Sequence, residues 1–364
     1  MPTRALVTTY REDSRLFADL WHKIAWVLGG VILLAWPWVV SARWLTIGVQ
    51  TLTAVVGSVA LMILTGFAGQ ISLGHAAFLA VGAYTAAILG HAVHMPFWLA
   101  MPLAGLAAAA VGLCVGPFAL RLRGLYLALV TLGLIFIVAH LLLSFPDITG
   151  GVSGLSVPMH TWFSAPEGTS SLGAMTQTAY VGGVEVGFST KLYYLYLALA
   201  IAVSLVGVNL RRSHSGRAMM AVRDSDLAAE ALGVDPARTK ILAFGISSFL
   251  AGVAGAMYAY EQQYITVEPP FDLHMSVSYI AMIVIGGIGT IFGAVAGAIT
   301  LVMVSPLVES LTAGLPLLGE LTSAQRSTLV FSLMVCGFLI FEPLGLLGIY
   351  LRTKRYFLAW PFRY

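Results

Sequence analysis

The chain has 364 residues, of which 59% are apolar and 10% are charged, and its formal net charge is +3. Soluble domains carry about 25% charged residues, so this composition, with a mean hydropathy of +0.90, excludes a water-soluble globular protein. The sequence instead predicts an all-α polytopic membrane protein.

Membrane-spanning helices are predicted from apolar runs, because the bilayer core requires about 20 apolar residues per crossing. Seven runs contain no Asp, Glu, Lys or Arg: 24–42, 44–120, 124–146, 192–210, 241–260, 273–308 and 327–341. The second run has 77 residues and is long enough for three helices. The run 273–308 fits two shorter helices joined through the glycines around 286–289. With one helix for each remaining run, the sequence predicts about ten transmembrane helices.

Basic residues give the predicted orientation, because Lys and Arg collect in cytoplasmic loops. With ten helices and a cytoplasmic N-terminus, the inner segments contain 16 of the 19 basic residues. We therefore expect both termini in the cytoplasm. The predicted organisation is a cytoplasmic N-terminal segment (1–23), a membrane domain (24–345) and a basic cytoplasmic C-terminal tail (346–364).

A segment rich in glycine and serine joins the second predicted helix to the third. Small residues let helices approach closely or let a helix break, and a break at membrane depth requires contact with protein or with a watery cavity. The segment therefore fits either the wall of a translocation pathway or close helix packing. Its candidate residues are Gly69, Gln70, Ser72, Gly74 and His75.

Two predicted loops are longer than turns. The outer loop, residues 146–190, is rich in Gly, Ser and Thr, and it fits either a solvated connector or a lid or docking surface for an external partner. The inner loop, residues 211–240, contains a predicted short helix. The carboxylates and hydroxyl at 224–226 suit its N-cap, Gly233 suits the position after its end, and Asp235-Pro236 suits the start of the next helix.

The helix in the inner loop is predicted to present one apolar face. Leu227 and Ala231, and likewise Ala228 and Leu232, are four residues apart, so the two pairs form one apolar stripe. This stripe fits a cleft on a partner protein, and the membrane helices of the same subunit are the alternative contact. The candidate residues are Arg223, Asp224, Leu227, Ala228, Glu230, Ala231, Leu232 and Gly233.

A second glycine cluster lies within the run 273–308. Glycines four residues apart are typical of helices whose backbones touch. The cluster fits a tight helix pair inside the subunit, a subunit interface or a pathway wall. Its candidate residues are Gly286, Gly287 and Gly289, followed by Gly293 and Gly297.

The sequence lacks the motifs that would let this chain catalyse a reaction or use ATP. Its four lysines follow His22, Thr190, Thr239 and Thr353, so none belongs to a phosphate-binding loop. We recognise no nucleophile beside a base, no paired catalytic carboxylates and no His/Cys metal cluster. Cys114 and Cys336 are expected to be small buried hydrophobes. The residues therefore give no basis for enzyme activity, and we expect no metal, cofactor or nucleic-acid partner.

Four short sequence segments together resemble the LivM-type permeases of branched-chain amino acid ABC importers. They read GQISLGHAAF at 69–78 with GAY at 82–84, RGLYLAL at 123–129, TGGVSGL at 149–155, and RD at 223–224 with AAEALGV at 228–234. The similarity extends from about residue 44 to 345. The general permease motif has glycine four residues after its glutamate, whereas Gly233 follows Glu230 by three, which fits the variant of this family.

The resemblance implies a multi-pass permease of the bacterial cytoplasmic (inner) membrane that moves branched-chain or related amino acids inward by alternating access. It also implies four partners besides the solute: a second homologous permease, two cytoplasmic ABC ATPases that bind ATP and Mg, and an extracytoplasmic solute-binding protein. By the same resemblance, the short helix of the inner loop is expected to be the cytoplasmic coupling helix that contacts an ATPase. A permease for urea or short-chain amides is an alternative that these motifs do not separate. A stand-alone secondary transporter, with sodium held by backbone carbonyls, is the alternative outside this class.

Overall fold

The computed structural model describes residues 20–122, 124–160, 179–181, 184–267, 269–312, 322–342 and 344–359. The chain divides into two compact units, Met1–Thr46 and Ile47–Tyr364. The described part of the first unit consists of helix α1, Leu20–Val39, and the beginning of helix α2, Ala42–Leu61. The residues of α1 from Leu28 to Val39 form a short apolar helix.

The second unit contains the rest of α2 and a largely helical bundle. A π-helical turn, Met62–Phe67, continues α2 to its end. The further helices are α3 His75–Val93, α4 Phe97–Arg121, α5 Leu125–Ser144, α6 Pro146–Thr149, α7 Phe188–Arg212, α8 His214–Asp224, α9 Asp226–Ala231, α10 Pro236–Gln262, α11 Leu273–Gly286, α12 Ile291–Thr312, α13 Ser323–Phe341 and α14 Gly345–Ala359. Four short strands form two antiparallel pairs: β1 Leu155–Ser156 with β4 Tyr264–Ile265, and β2 Ala179–Val181 with β3 Val184–Val186.

The described residues include six helices that are long and apolar enough to cross a membrane, or up to eight spans if two bent pairs are counted. The run 44–120 holds α2, α3 and α4, as predicted. In the run 273–308, the two expected helices form a pair that is bent by 119° between α11 and α12. At 1.5 Å per residue, the 14 residues of α11 cover only about 21 Å, which is less than a bilayer core. The all-α membrane class is therefore confirmed, while the number of ten spans and the orientation remain predictions.

The centre of the second unit is formed by α3, α4 and α10, whose backbones touch at small residues. A Cβ atom added to Gly82 of α3 would lie 2.1 Å from the carbonyl oxygen of Gly252 in α10. Likewise, a Cβ atom at Gly255 would lie 2.0 Å from the carbonyl oxygen of Leu79. Within a bilayer the hydrophobic effect does not drive helices together, because lipid is as apolar as the helix surfaces. Van der Waals packing between closely approaching backbones holds them together instead. These glycines therefore fix α10 against α3.

The two cysteines differ from the sequence prediction. Cys114 of α4 and Cys336 of α13 are exposed on the chain rather than buried. An apolar run predicts burial from water, but it does not distinguish a protein core from a helix face turned to lipid or to another subunit.

The first part of the outer loop is folded against the ends of three helices. Strand β1 pairs with β4, which directly follows α10, and the amide of Phe97 at the start of α4 donates to the carbonyl of His160 at 2.8 Å. The ring nitrogen Nε2 of His160 lies 3.0 Å from the carbonyl oxygen of Gly90. Burial of this ring, and secondly the nearby charge of His94, lower the pKa of His160. Residues 146–160 are thus attached to the bundle, and 161–178 lie outside the described residues.

The predicted C-terminal tail begins as a helix. Helix α14 spans Gly345–Ala359, and a Cβ atom at Gly345 would lie 2.3 Å from the carbonyl oxygen of Ile285 in α11. Arg352 of α14 pairs with Glu342, with 2.8 Å between Nη2 and Oε2. The segment after the last predicted span therefore packs on the bent pair before the chain reaches residues 360–364, which the structure does not describe.

Candidate functional site

The segment Gly69–His75 is a break between two membrane helices, and neighbouring helices satisfy its backbone. Gly69 has a φ of +68° and lets the chain turn away from the π-helical turn. The amide of Leu73 then donates to the hydroxyl oxygen of Thr131 in α5 at 3.0 Å. The amide of Ala76 donates to the hydroxyl of Ser276 in α11 at 2.9 Å. A break of this kind is stable at membrane depth because protein groups replace the missing helical hydrogen bonds.

Three of the candidate side chains in this break are buried. Ser72, which accepts a hydrogen bond from the amide of Gly74 at 3.3 Å, is 1% exposed. Gln70 is 5% exposed, and neither atom of its amide group has a hydrogen-bond partner among the described residues. The ring of His75 stands edge-on to that of Tyr279, with centroids 4.9 Å apart, and its Nε2 atom has no partner in the part of the chain that is described. Unpaired buried polar groups are costly, which favours a functional role for Gln70 and His75.

The second glycine cluster joins the two arms of the bent pair. A Cβ atom at Gly286 would lie 1.7 Å from the carbonyl oxygen of Gly293, and one at Gly297 would lie 1.8 Å from that of Met282. Gly287 and Gly289 have φ angles of +113° and +93°, which side chains rarely adopt. The cluster therefore forms both the close contact and the sharp turn between α11 and α12.

The inner loop contains two short helices, α8 and α9, where the sequence predicted one helix over 224–232. Ser225 separates them because it is extended, with a φ of −163°, and its hydroxyl accepts the amide of Ala228 as the N-cap of α9. Asp224 therefore ends α8 instead of capping the next helix. The predicted Asp235 cap of α10 is present, with Oδ1 accepting the amides of Ala237 and Arg238.

The end of α9 forms the turn that the sequence predicted at Gly233. This glycine has a φ of +84°. Its amide donates to the carbonyl of Glu230 at 2.9 Å, and the amide of Val234 donates to that of Ala229 at 3.0 Å. These two bonds define a Schellman motif, which ends a helix sharply.

The apolar stripe of the inner-loop helix α9 is exposed and faces away from the rest of the protein. Leu227 is 76% exposed and Leu232 is 83% exposed, whereas Ala229 on the opposite side is 2% exposed. The remaining stripe residues, Ala228 and Ala231, are also exposed, as are Glu230 and Gly233. The stripe does not lie against the described membrane helices of this chain, which leaves it open to a partner.

Arg223 connects the inner loop with both glycine segments. Its Nη1 donates to the carbonyl oxygen of Gly66 at 2.8 Å, and its Nη2 pairs with Asp224 at 2.9 Å. A Cβ atom at Gly69 would lie 2.6 Å from Cγ of Arg223, and one at Gly289 would lie 3.5 Å from Nη1. One guanidinium therefore contacts the end of the π-helical turn and approaches the turn between α11 and α12.

A cleft of about 340 Å³ lies beside this arginine. Gly69, Gln70 and Asp224 line it together with an ion pair between Lys240 and Asp226, whose Nζ and Oδ2 atoms are 2.7 Å apart. Sequence reasoning missed this pair because its members are 14 positions apart and belong to different helices. The available signal was a lysine at the beginning of an apolar run, which needs a partner if it is buried. No group of three or more potential metal ligands occurs among the described residues.

Comparison with known proteins places this geometry in context. The family model for the permease component of branched-chain amino acid transport systems matches residues 44–341. The chain is 36% identical over 322 residues to the high-affinity branched-chain amino acid transport system permease protein LivM of Salmonella typhimurium, covering 87% of this chain and 73% of that protein. It is 35% identical to LivM of Escherichia coli, with the same coverage.

A further relative is the high-affinity branched-chain amino acid transport system permease protein LivH of Escherichia coli. It is 25% identical over 201 residues, which cover 54% of this chain and 61% of LivH. No solved structure matches the chain significantly.

Proposed function

The chain belongs to the family of permease components of branched-chain amino acid transport systems, and we propose that it moves leucine, isoleucine, valine or related amino acids inward as one subunit of an ATP-driven importer in the bacterial inner membrane. The observation that carries this proposal is the match over residues 44–341, which includes both glycine segments and the inner loop. The fold agrees with it, because apolar helices surround a broken helix with buried polar side chains.

The importer requires further subunits. The chain is similar to two permease proteins, LivM and LivH, that carry the same description in Escherichia coli. This supports a second homologous permease beside this chain. Two cytoplasmic ATPases that bind ATP and Mg would supply energy, and an extracytoplasmic binding protein would deliver the solute.

The inner loop is the proposed contact with an ATPase. The exposed stripe of Leu227, Ala228, Ala231 and Leu232 would enter a cleft on the ATPase, because alanines keep the helix slim and allow close backbone approach. The Schellman turn at Gly233 and the ion pair of Asp226 with Lys240 hold α9 in place. Glu230, exposed beside the stripe, is available to a basic group of the partner.

Arg223 would carry the motion of α8 and α9 into the membrane. Its guanidinium contacts Gly66 at the end of the π-helical turn and lies near Gly289. Both positions border breaks in membrane helices, and discontinuous helices are the usual moving or binding parts of transporters. In this mechanism, ATP-driven displacement of the inner loop moves both helix breaks, the segment 69–75 and the turn between α11 and α12, at the same time. This movement opens the pathway to one side of the membrane.

Reconstitution tests the proposed function. The chain, its second permease, the two ATPases and the binding protein are placed in liposomes, and uptake of labelled leucine is measured with urea and acetamide as competing solutes. We expect leucine to accumulate only with ATP, and we expect the chain alone to show neither uptake nor ATPase activity. Preferred uptake of urea or acetamide would identify the amide importer instead. Uptake by the chain alone down a sodium gradient would contradict the ATP-driven mechanism.

A further inference from the structure

Glu261 is a largely buried carboxylate in the last turn of α10 that the proposed function has not yet used. Its Oε2 atom accepts a hydrogen bond from the hydroxyl of Thr53 in α2 at 3.3 Å. Its Oε1 atom is buried and has no hydrogen-bond partner among the described residues. In the sequence, this glutamate directly follows the apolar run 241–260.

The surroundings of Glu261 are aromatic rather than cationic. Tyr258 lies one turn before Glu261 on α10. The hydroxyl of Tyr196 donates to the carbonyl of Met257, one turn before Glu261, and the ring of Tyr279 lies over Gly57, one turn after Thr53 on α2. None of the ion pairs between described residues includes Glu261. A buried carboxylate without a cation is costly, and ionisable groups inside membrane proteins commonly mark the path of a solute or ion.

The carboxylate lies close to the surface of the chain. The side chain of Gln50, one turn before Thr53 on α2, approaches the same carboxylate and is itself exposed. Gln50, Thr53 and Gly57 follow one another at spacings of three and four, so they share one face of α2. The exposed Gln50 side chain is therefore the part of this cluster that lies nearest to the surface of the chain.

We propose that Glu261 and Thr53 form a binding site for the α-ammonium group of the amino acid during its passage through the membrane. An ammonium group brings one positive charge and three N–H donors, of which one fits the free Oε1 atom and another fits the hydroxyl oxygen of Thr53. The neighbouring tyrosine rings would offer apolar contact for a branched side chain. This inference rests on the proposed function, because it takes an amino acid as the solute.

The complete importer in liposomes tests the site, with the binding protein saturated with labelled leucine. Leucine uptake per ATP hydrolysed is measured for Glu261→Gln, Glu261→Asp and Thr53→Val. Asp147→Asn is the matched control, because Asp147 is an exposed carboxylate in the outer loop. A charge-assisted hydrogen bond corresponds to roughly a tenfold or larger change in affinity, so we expect Glu261→Gln to lower uptake per ATP about tenfold or more. Glu261→Asp is expected to retain more uptake than Glu261→Gln, and the control is expected to match the parent chain.

Other results would overturn the inference. Unchanged uptake per ATP in Glu261→Gln would exclude the site, and so would an equal loss of uptake and ATPase activity in an intact complex. If Glu261→Gln does not assemble, Thr53→Val decides, and we expect at least a twofold loss of uptake per ATP, since normal uptake would contradict the site. Uptake that requires sodium in the parent chain but not in Glu261→Gln would assign the site to sodium. Absence of leucine uptake by the parent importer would contradict the proposed function and not this site alone.

Discussion

At the scale of single residues, Arg223 joins parts of the molecule that are distant in sequence. The carbonyl it contacts belongs to Gly66, 157 positions earlier. The sequence places this residue just before the predicted coupling helix, and in the structure its guanidinium contacts the end of the π-helical turn. No local pattern contains this information, because a long side chain has many possible directions and its partner is a backbone atom. By contrast, Ser225, Gly233 and Asp235 act through backbone groups within a few residues, and such effects can be predicted from sequence.

Replacement of Arg223 tests its connecting role. Arg223→Gln removes the charge and leaves the Gly66 carbonyl without its donor, so we expect leucine uptake per ATP to fall about tenfold, which corresponds to about 1.4 kcal/mol. The control is Arg238→Gln, since the side chain of Arg238 is 90% exposed and pairs only locally with Asp235. If Arg223→Gln and the parent chain take up the same amount of leucine per ATP hydrolysed, the arginine has only a structural role.

At the scale of elements, the described lengths of the helices follow from the apolar runs, but the bends between helices do not. Gly286 to Gly289 were predicted to join two helices, and they do so between α11 and α12. The angle of 119° depends on how far the two backbones approach at Gly286 and Gly293, and this is a three-dimensional property. The inner loop shows the same limit of sequence reasoning. Its helical structure was predicted, whereas its division into α8 and α9 at Ser225 was not.

The end of α9 offers a matched pair of substitutions. Gly233→Val forces a β-branched residue into a positive φ and is expected to cost at least about 1 to 2 kcal/mol locally. Asn tolerates this conformation, so Gly233→Asn is the control. We expect Gly233→Val, but not Gly233→Asn, to weaken copurification of the ATPases. Ala231→Trp tests the exposed face of the same helix and should reduce copurification without affecting membrane insertion.

Normal association and normal transport per ATP in both Gly233→Val and Ala231→Trp would mean that α9 is not the ATPase contact. Loss of association in Gly233→Asn as well would mean that the side chain itself, rather than the backbone conformation, disturbs the contact.

At the scale of the whole molecule, the distribution of Lys and Arg remains the basis for the orientation. The outer loop and the inner loop are predicted on opposite sides of the membrane. Each contains a described residue that is strongly exposed: Val152 is 88% exposed and Leu232 is 83% exposed. These positions are therefore suitable for measuring the orientation from each side.

Single cysteines at Val152 and Leu232 test the orientation in a chain that lacks Cys114 and Cys336, both of which are exposed. We expect an impermeant thiol reagent to label Val152→Cys in intact cells and Leu232→Cys only after the membrane is opened. Labelling of both cysteines in intact cells would contradict the predicted topology.

The long helix α10 has a mechanical consequence. It contains 27 residues, so it is about 40 Å long, and it runs from Pro236 beside the inner loop to the turn that contains Glu261. Contact with α3 at Gly82 and Gly255 leaves no room for a methyl group, so α10 and α3 cannot shift past one another without breaking this contact. A displacement of the Pro236 end of α10 would therefore have to move α3 and the Glu261 end together, because the contact at Gly252 and Gly255 joins the two helices.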